Sequence, residues 1–115
     1  MEVERSAGGV ATGLLRPHEQ SGGLWIGWSG ASDDLTPDQQ ASLERKLTDQ
    51  RLISVPLSAD QVTRFYEGYS NGVLWPLFHY LLDQVPLHVG DWDAYVEVNE
   101  HFARVTAEHH RPGDL

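Results

Sequence analysis

Two short apolar runs are the strand candidates of this chain, and they limit what it can fold into more than any other feature. Leu24-Trp25-Ile26-Gly27-Trp28 lies between Gly22-Gly23 and Ser29-Gly30; Arg51-Leu52-Ile53-Ser54-Val55-Pro56 is the second. Short apolar runs bounded by turn formers read as buried strands. Helical patterns alternate with them, which indicates an α/β layer with a parallel sheet. A parallel sheet needs both faces covered and more than two strands to be stable. The chain therefore reads as a piece of a larger domain.

Helix starts are well marked. Thr36-Pro37-Asp38-Gln39 combines a cap residue, a proline at the first helical position and a glutamine three residues after the cap. It predicts a surface helix to about Thr48 with a thin apolar stripe of Leu43 and Leu47. Ser58-Ala59-Asp60-Gln61 repeats the box, and Val62, Phe65, Tyr66 and Tyr69 follow at i, i+3, i+4 and i+7. This helix is expected to stop at Asn71-Gly72, which tolerate the left-handed conformation of a helix end. Pro76 is expected to open a short helix through about Leu82, with Trp75 pushed to extended geometry at its entrance. Asp91 is expected to cap the clearest helix, residues 92–109, where Tyr95, Val98, Phe102 and Val105 share one face. Near the start, Gly8-Gly9 precede one or two helical turns over 10–15, and 16–21 read as a polar loop. Residues 1–7 are expected to fray; 31–35 and 86–90 read as loops.

Composition excludes several function classes. At 40% hydrophobic and 22% charged residues, the 115-residue chain is too apolar for a disordered one. Seventeen acidic against eight basic residues give a net charge of −9, a field that repels phosphate backbones. Lys46 is the only lysine and no basic patch forms, so no nucleic-acid partner is expected. The absence of cysteine excludes disulfides, thiolate metal sites and a cysteine nucleophile. No apolar run approaches a membrane span, and the first residues lack the basic and apolar regions of a signal peptide. A soluble, cytoplasmic protein without a membrane partner is the natural expectation.

The segment FYEGYSNGVLWPLFHYLLD, residues 65–83, carries the functional signal. Tyr66, Tyr69, Trp75, His79 and Tyr80 crowd around a polar break, Ser70-Asn71-Gly72. Rigid aromatic faces with polar tips beside a turn suit a binding cleft, because they bury area yet keep a hydrogen bond. From spacing alone, Tyr66 also reads as a core tyrosine and Trp75 as a hydrophobic anchor for the next helix. His79 either borders the cleft or is buried and hydrogen-bonded. Trp25 and Trp28 flank Ile26, one expected to face the core and the other the helix layer or cleft. Gly8-Gly9 ahead of a helix read either as a turn or as a place where backbone N–H groups approach a phosphate. Glu97 and His101, one turn apart, read as a solvated pair rather than metal ligands. No nucleophile–base constellation is present, so no catalytic residue is assigned.

Four stretches in this order resemble the N-terminal part of the trehalose-6-phosphate synthase family: SAGG at 6–9, GGLWIGWSG at 22–30, FYEGYSNGVLWPLFHYLLD at 65–83 and WDAYVEVNEHFA at 92–103. Glucosylglycerol-phosphate synthases have similar motifs. The resemblance covers nearly the whole chain but about the first quarter of a family member; residues 31–50 carry no family signature.

The resemblance implies a retaining glycosyltransferase of GT-B type, with two Rossmann-like domains and the site in the cleft between them. It implies glucosyl transfer from UDP-glucose to glucose 6-phosphate, giving trehalose 6-phosphate and UDP, with no metal and no cofactor. Gly8 and Gly9 would lie against the donor, and Tyr66 and Trp75 would bind the acceptor sugar phosphate. The family's opening strand ending in Ser-Asn-Arg has no match here, Arg5 not being one. The His-Asp-Tyr-His motif and the donor-binding domain have none either. Residues 1–115 are thus expected to form an incomplete, helix-rich, acceptor-side N-terminal domain with few short strands, inactive alone. The competing expectation is a non-catalytic module or pseudoenzyme that binds a sugar phosphate or another protein. In that case, sheet edges around Trp25 and Ile53 would favour self-association.

Overall fold

The computed structural model describes residues 9–30, 35–81, 83 and 89–115. They fall into two compact units, Met1–Val55 and Pro56–Leu115.

The first unit runs α1 (Gly9–Ser21), β1 (Trp25–Gly27), α2 (Pro37–Asp49) and β2 (Leu52–Ser54). The strands pair in parallel with Trp25 opposite Leu52, Ile26 opposite Ile53 and Gly27 opposite Ser54, so both fall within the two short apolar runs expected to form them. Hydrogen bonds from Trp25 N–H to the Arg51 carbonyl (3.0 Å) and from Val55 N–H to that of Gly27 (2.8 Å) extend the ladder. Thr36 forms the full capping box with Gln39, and α2 buries the expected Leu43 and Leu47. Trp25, Ile26 and Trp28 are all half-buried, so neither tryptophan is singled out as the core one.

The polar loop expected over 16–21 is instead the last part of α1, with Pro17 inside the helix. Proline removes a donor and crowds the preceding turn, a cost of about 3 kcal/mol in a helix interior. Distant groups support the helix end. Arg51 Nη2 donates to the carbonyls of His18 (2.8 Å) and Glu19 (3.2 Å), two of the acceptors a helix C-terminus leaves unpaired. His18 Nε2 donates in turn to the Gln50 carbonyl at 3.0 Å. Arg51 can reach back because its own backbone is left-handed, φ 59°, where α2 ends.

The second unit starts with α3 (Ala59–Gln61), capped by Ser58 in a second full capping box. The chain then winds without a break through a π-helical segment, Val62–Leu74, and α4, Trp75–Phe78. The stop expected at Asn71-Gly72 does not occur. Gly72 sits inside the π-helix, and a Cβ there would come within 3.2 Å of the Glu67 carbonyl oxygen, its i−5 neighbour. Trp75 is not extended either: it is helical at φ −59°, ψ −54°, and its N–H bonds to the Ser70 carbonyl, five residues back. The π winding gives way to α winding at Pro76, which has no N–H to continue the i→i+5 series.

The helix ends at His79 rather than near Leu82. Tyr80 takes the left-handed conformation, φ 60°. Its N–H bonds to Leu77 O (3.3 Å) and that of Leu81 to Pro76 O (2.7 Å). This is the paired-bond helix stop usually built on glycine. The last helix, α5, spans Val89–His109 and begins before Asp91, so Asp91 lies in its first turn and is not its cap. Of the loop expected over 86–90, residues 89 and 90 are instead the start of α5. The loop's residues 86–88, like residues 1–7 expected to fray and 31–34 of the loop expected over 31–35, lie outside the described residues. Helix α5 packs on the π-helical segment through Phe65, Tyr69, Trp92 and Tyr95. Ring centroids are 4.6 Å apart for Tyr69–Tyr95 and 5.9 Å for the stacked Phe65–Tyr95 pair. Buried Leu57, Ala94 and Val98 complete this core.

Candidate functional site

The winding of the π-helical segment determines where Tyr66 points. An α-helix turns about 100° per residue, which would put Tyr66 and Trp75, nine positions apart, on opposite faces. Bonds of the i→i+5 kind give about 4.4 residues per turn, so nine positions make about two full turns. The two rings therefore share a face. Phe65 and Tyr69 lie about a quarter to a third of a turn away and pack on Tyr95. Tyr66 is accordingly not a core tyrosine; it is 47% exposed, and Trp75 is 60% exposed. This commonality of face is invisible to α-helical spacing, which put Tyr66 on the packed stripe.

Trp75 carries a partner one helical turn further on. The His79 imidazole stacks on the indole with centroids 3.9 Å apart and planes 25° from parallel. Its Nδ1 donates to the Trp75 carbonyl at 2.8 Å. His79 is exposed, not buried. The i, i+4 spacing of an aromatic and a histidine was the available signal.

Chemically, each of the two exposed rings offers an apolar face with a polar tip, a hydroxyl on Tyr66 and an indole N–H on Trp75, a combination suited to a sugar. They offer no cation. Nearby Arg64 is committed to Asp60 at 3.2 Å and to the Gly90 carbonyl. Among the described residues no group of three or more His, Asp or Glu is placed to hold a metal ion, and no described helix is long and apolar enough to cross a membrane.

Of the glycine pair, Gly8 lies outside the described residues and Gly9 opens α1 in the first unit. A Cβ at Gly9 would meet nothing within 4 Å, so no described neighbour demands a glycine there. The same unit carries an open groove of about 400 Å³ lined chiefly by Leu14, Pro17, His18, Leu24, Trp25 and Ile26. His18 in it is already engaged, by Gln50 and edge-on by the Trp25 ring at 5.6 Å.

Known proteins match this chain throughout. A family model described as Glycosyltransferase family 20 matches residues 1–115. A trehalose-6-phosphate synthase of Mycolicibacterium smegmatis is 45% identical over 105 residues, 90% of this chain and 20% of the relative. Among solved structures, the trehalose-6-phosphate synthase OtsA superposes with a TM-score of 0.74 at 32% identity, covering 96% of this chain and 24% of its own. An α,α-trehalose-phosphate synthase (UDP-forming) from Burkholderia xenovorans, in complex with glucose-6-phosphate, gives 0.69 at 25% identity, covering 92% and 23%. The chain thus spans about a fifth of the length of the curated relatives it matches. Its helix-rich α/β fold with two parallel strands is that of part of a GT-B glycosyltransferase. With the motifs, the fold and the full-length family match in agreement, the chain belongs to glycosyltransferase family 20.

Proposed function

We propose that this chain forms the acceptor-side part of a retaining glycosyltransferase that moves glucose from UDP-glucose to glucose 6-phosphate, yielding trehalose 6-phosphate and UDP in the cytoplasm. The observation that supports this reading is the exposure of both Tyr66 and Trp75 on one continuous helical run, in a chain similar to a UDP-forming synthase solved with glucose-6-phosphate. Tyr66 and Trp75 hold the acceptor. Gly8 and Gly9 lie against the donor, where the absence of side chains lets backbone N–H groups approach. Catalysis in such a site is positioning plus stabilisation of the charge that develops on the departing diphosphate. Residues 1–115 supply the acceptor-side positioning, and the glycine pair is their contribution beside the diphosphate. Incubated with UDP-glucose and glucose 6-phosphate, the 115-residue chain is expected to release no UDP; release at an enzyme-like rate overturns this division of roles. In an NMR titration with millimolar glucose 6-phosphate, the Trp75 indole N–H resonance should move, and should be unmoved by inorganic phosphate. Failure of that resonance to respond overturns the acceptor assignment.

One observation favours a non-catalytic companion role. Among the described residues β1 and β2 pair only with each other, leaving an outer edge on each strand. Such edges favour self-association or docking on a larger chain. A concentration-dependent shift toward dimer in size-exclusion chromatography is the expected outcome; a monomer at all concentrations overturns it.

A further inference from the structure

We propose that His79 is a positioning residue that holds the Trp75 indole by one face, so that the opposite face is presented to the acceptor sugar. The inference rests on the assignment of Trp75 to the acceptor. An exposed tryptophan side chain has several staggered rotamers open to it, and a stacking platform works only in the one that meets the ligand. Freezing it at the moment of binding costs affinity that preorganisation would save.

Two contacts restrain the indole through His79. The imidazole lies on one indole face, with centroids 3.9 Å apart and planes 25° from parallel. The Nδ1 hydrogen bond to the Trp75 carbonyl, 2.8 Å, holds the imidazole in that position. Since a carbonyl can only accept, Nδ1 carries the proton, which fixes the tautomer of the neutral ring. Elsewhere in the chain the same bond does not bring a ring stack with it. His109 Nδ1 donates to the Val105 carbonyl at 2.8 Å and Asn99 Nδ2 to the Tyr95 carbonyl at 2.8 Å, each four residues back. The bond is therefore a common local device, and the position of an indole at residue 75 is what turns it into a clamp. Tyr80 keeps His79 at the end of α4, because the two hydrogen bonds of the helix stop close the backbone on either side of Tyr80. One face is covered by the imidazole, yet the residue remains 60% exposed, which leaves indole surface for a sugar to meet.

The test uses the 115-residue chain and glucose 6-phosphate, read from the indole N–H resonance of Trp75. His79→Ala should raise Kd by about threefold to tenfold, the range expected for one aromatic contact. His79→Phe keeps the stack without the hydrogen bond and should bind within about twofold of the parent. His79→Asn keeps the hydrogen bond without the stack, as Asn99 does, and should resemble His79→Ala. The indole resonances of Trp25, Trp28 and Trp92 report whether each variant folds, and if His79→Ala does not, the Phe and Asn pair still decides. Equal Kd for parent, Ala and Asn variants overturns the positioning role while leaving the acceptor site intact. Equal weakening by Phe and Ala overturns it as well, by showing a polar contact to the sugar instead. A parent chain that does not respond to glucose 6-phosphate overturns the acceptor assignment and this inference together.

Discussion

At Tyr80 the backbone enters the left-handed region, φ 60°, with the side chain 90% exposed. A residue with a Cβ pays about 1–2 kcal/mol for that conformation, which glycine adopts freely. Tyr80→Gly should therefore stabilise the chain by about 0.5–1 kcal/mol, the gain being reduced by the extra freedom of glycine in the unfolded state. Chemical denaturation measures it, and a loss of stability would show that the exposed ring makes a contact worth more than the strain. The residue scale also explains a misplaced helix stop. Asn71-Gly72 has the chemistry of a stop and Tyr80 does not, yet only Tyr80 adopts the conformation. Side-chain identity gives a preference of about 1 kcal/mol, and the hydrogen bonding of the whole helical run outweighs it.

Helices α1 and α5 owe their positions to contacts far away in sequence. Arg51 ties down the end of α1 from more than thirty residues along the chain. Arg51→Ala should cost about 1.5 kcal/mol, the scale of hydrogen bonds from a charged donor. The loss should appear first as faster amide exchange in the last turn of α1; unchanged exchange there would exclude the capping role. The approach of the π-helical segment to α5 depends on Gly68, where an added Cβ would lie 2.5 Å from Asp91 Oδ2. Asp91 can swing aside for a methyl group but not for a larger side chain. Gly68→Leu should cost about 2 kcal/mol by overpacking, despite the better helix propensity of leucine. A thermal melt equal to the parent's would show that the two helices are free to separate at that point.

For the molecule as a whole, charge is the property with the plainest consequence. A net charge of −9 on 115 residues makes the folded chain repel itself. Raising ionic strength from a few millimolar to about 0.15 M brings the screening length down to about 8 Å. The unfolding temperature should then rise by a few degrees, as followed by circular dichroism; no rise would mean that the acidic groups are too far apart to interact.

Much of this protein was legible from residue order because the relevant physics is short-ranged. Both capping boxes close within three residues, so Thr36 and Ser58 announce their helices without help from the rest of the fold. The two short apolar runs mark both strands without help from distant residues, and the family motifs identify themselves by residue type and spacing. What tertiary structure alone decided depends on partners distant along the chain. The passage of α1 through Pro17 relies on Arg51, and the π-helical segment that runs on through Gly72 is packed at Tyr69 against Tyr95 and Trp92 of α5. The face of Tyr66 depends on π rather than α winding, a difference of about 18° per residue that side-chain periodicity does not encode and that accumulates to half a turn by Trp75.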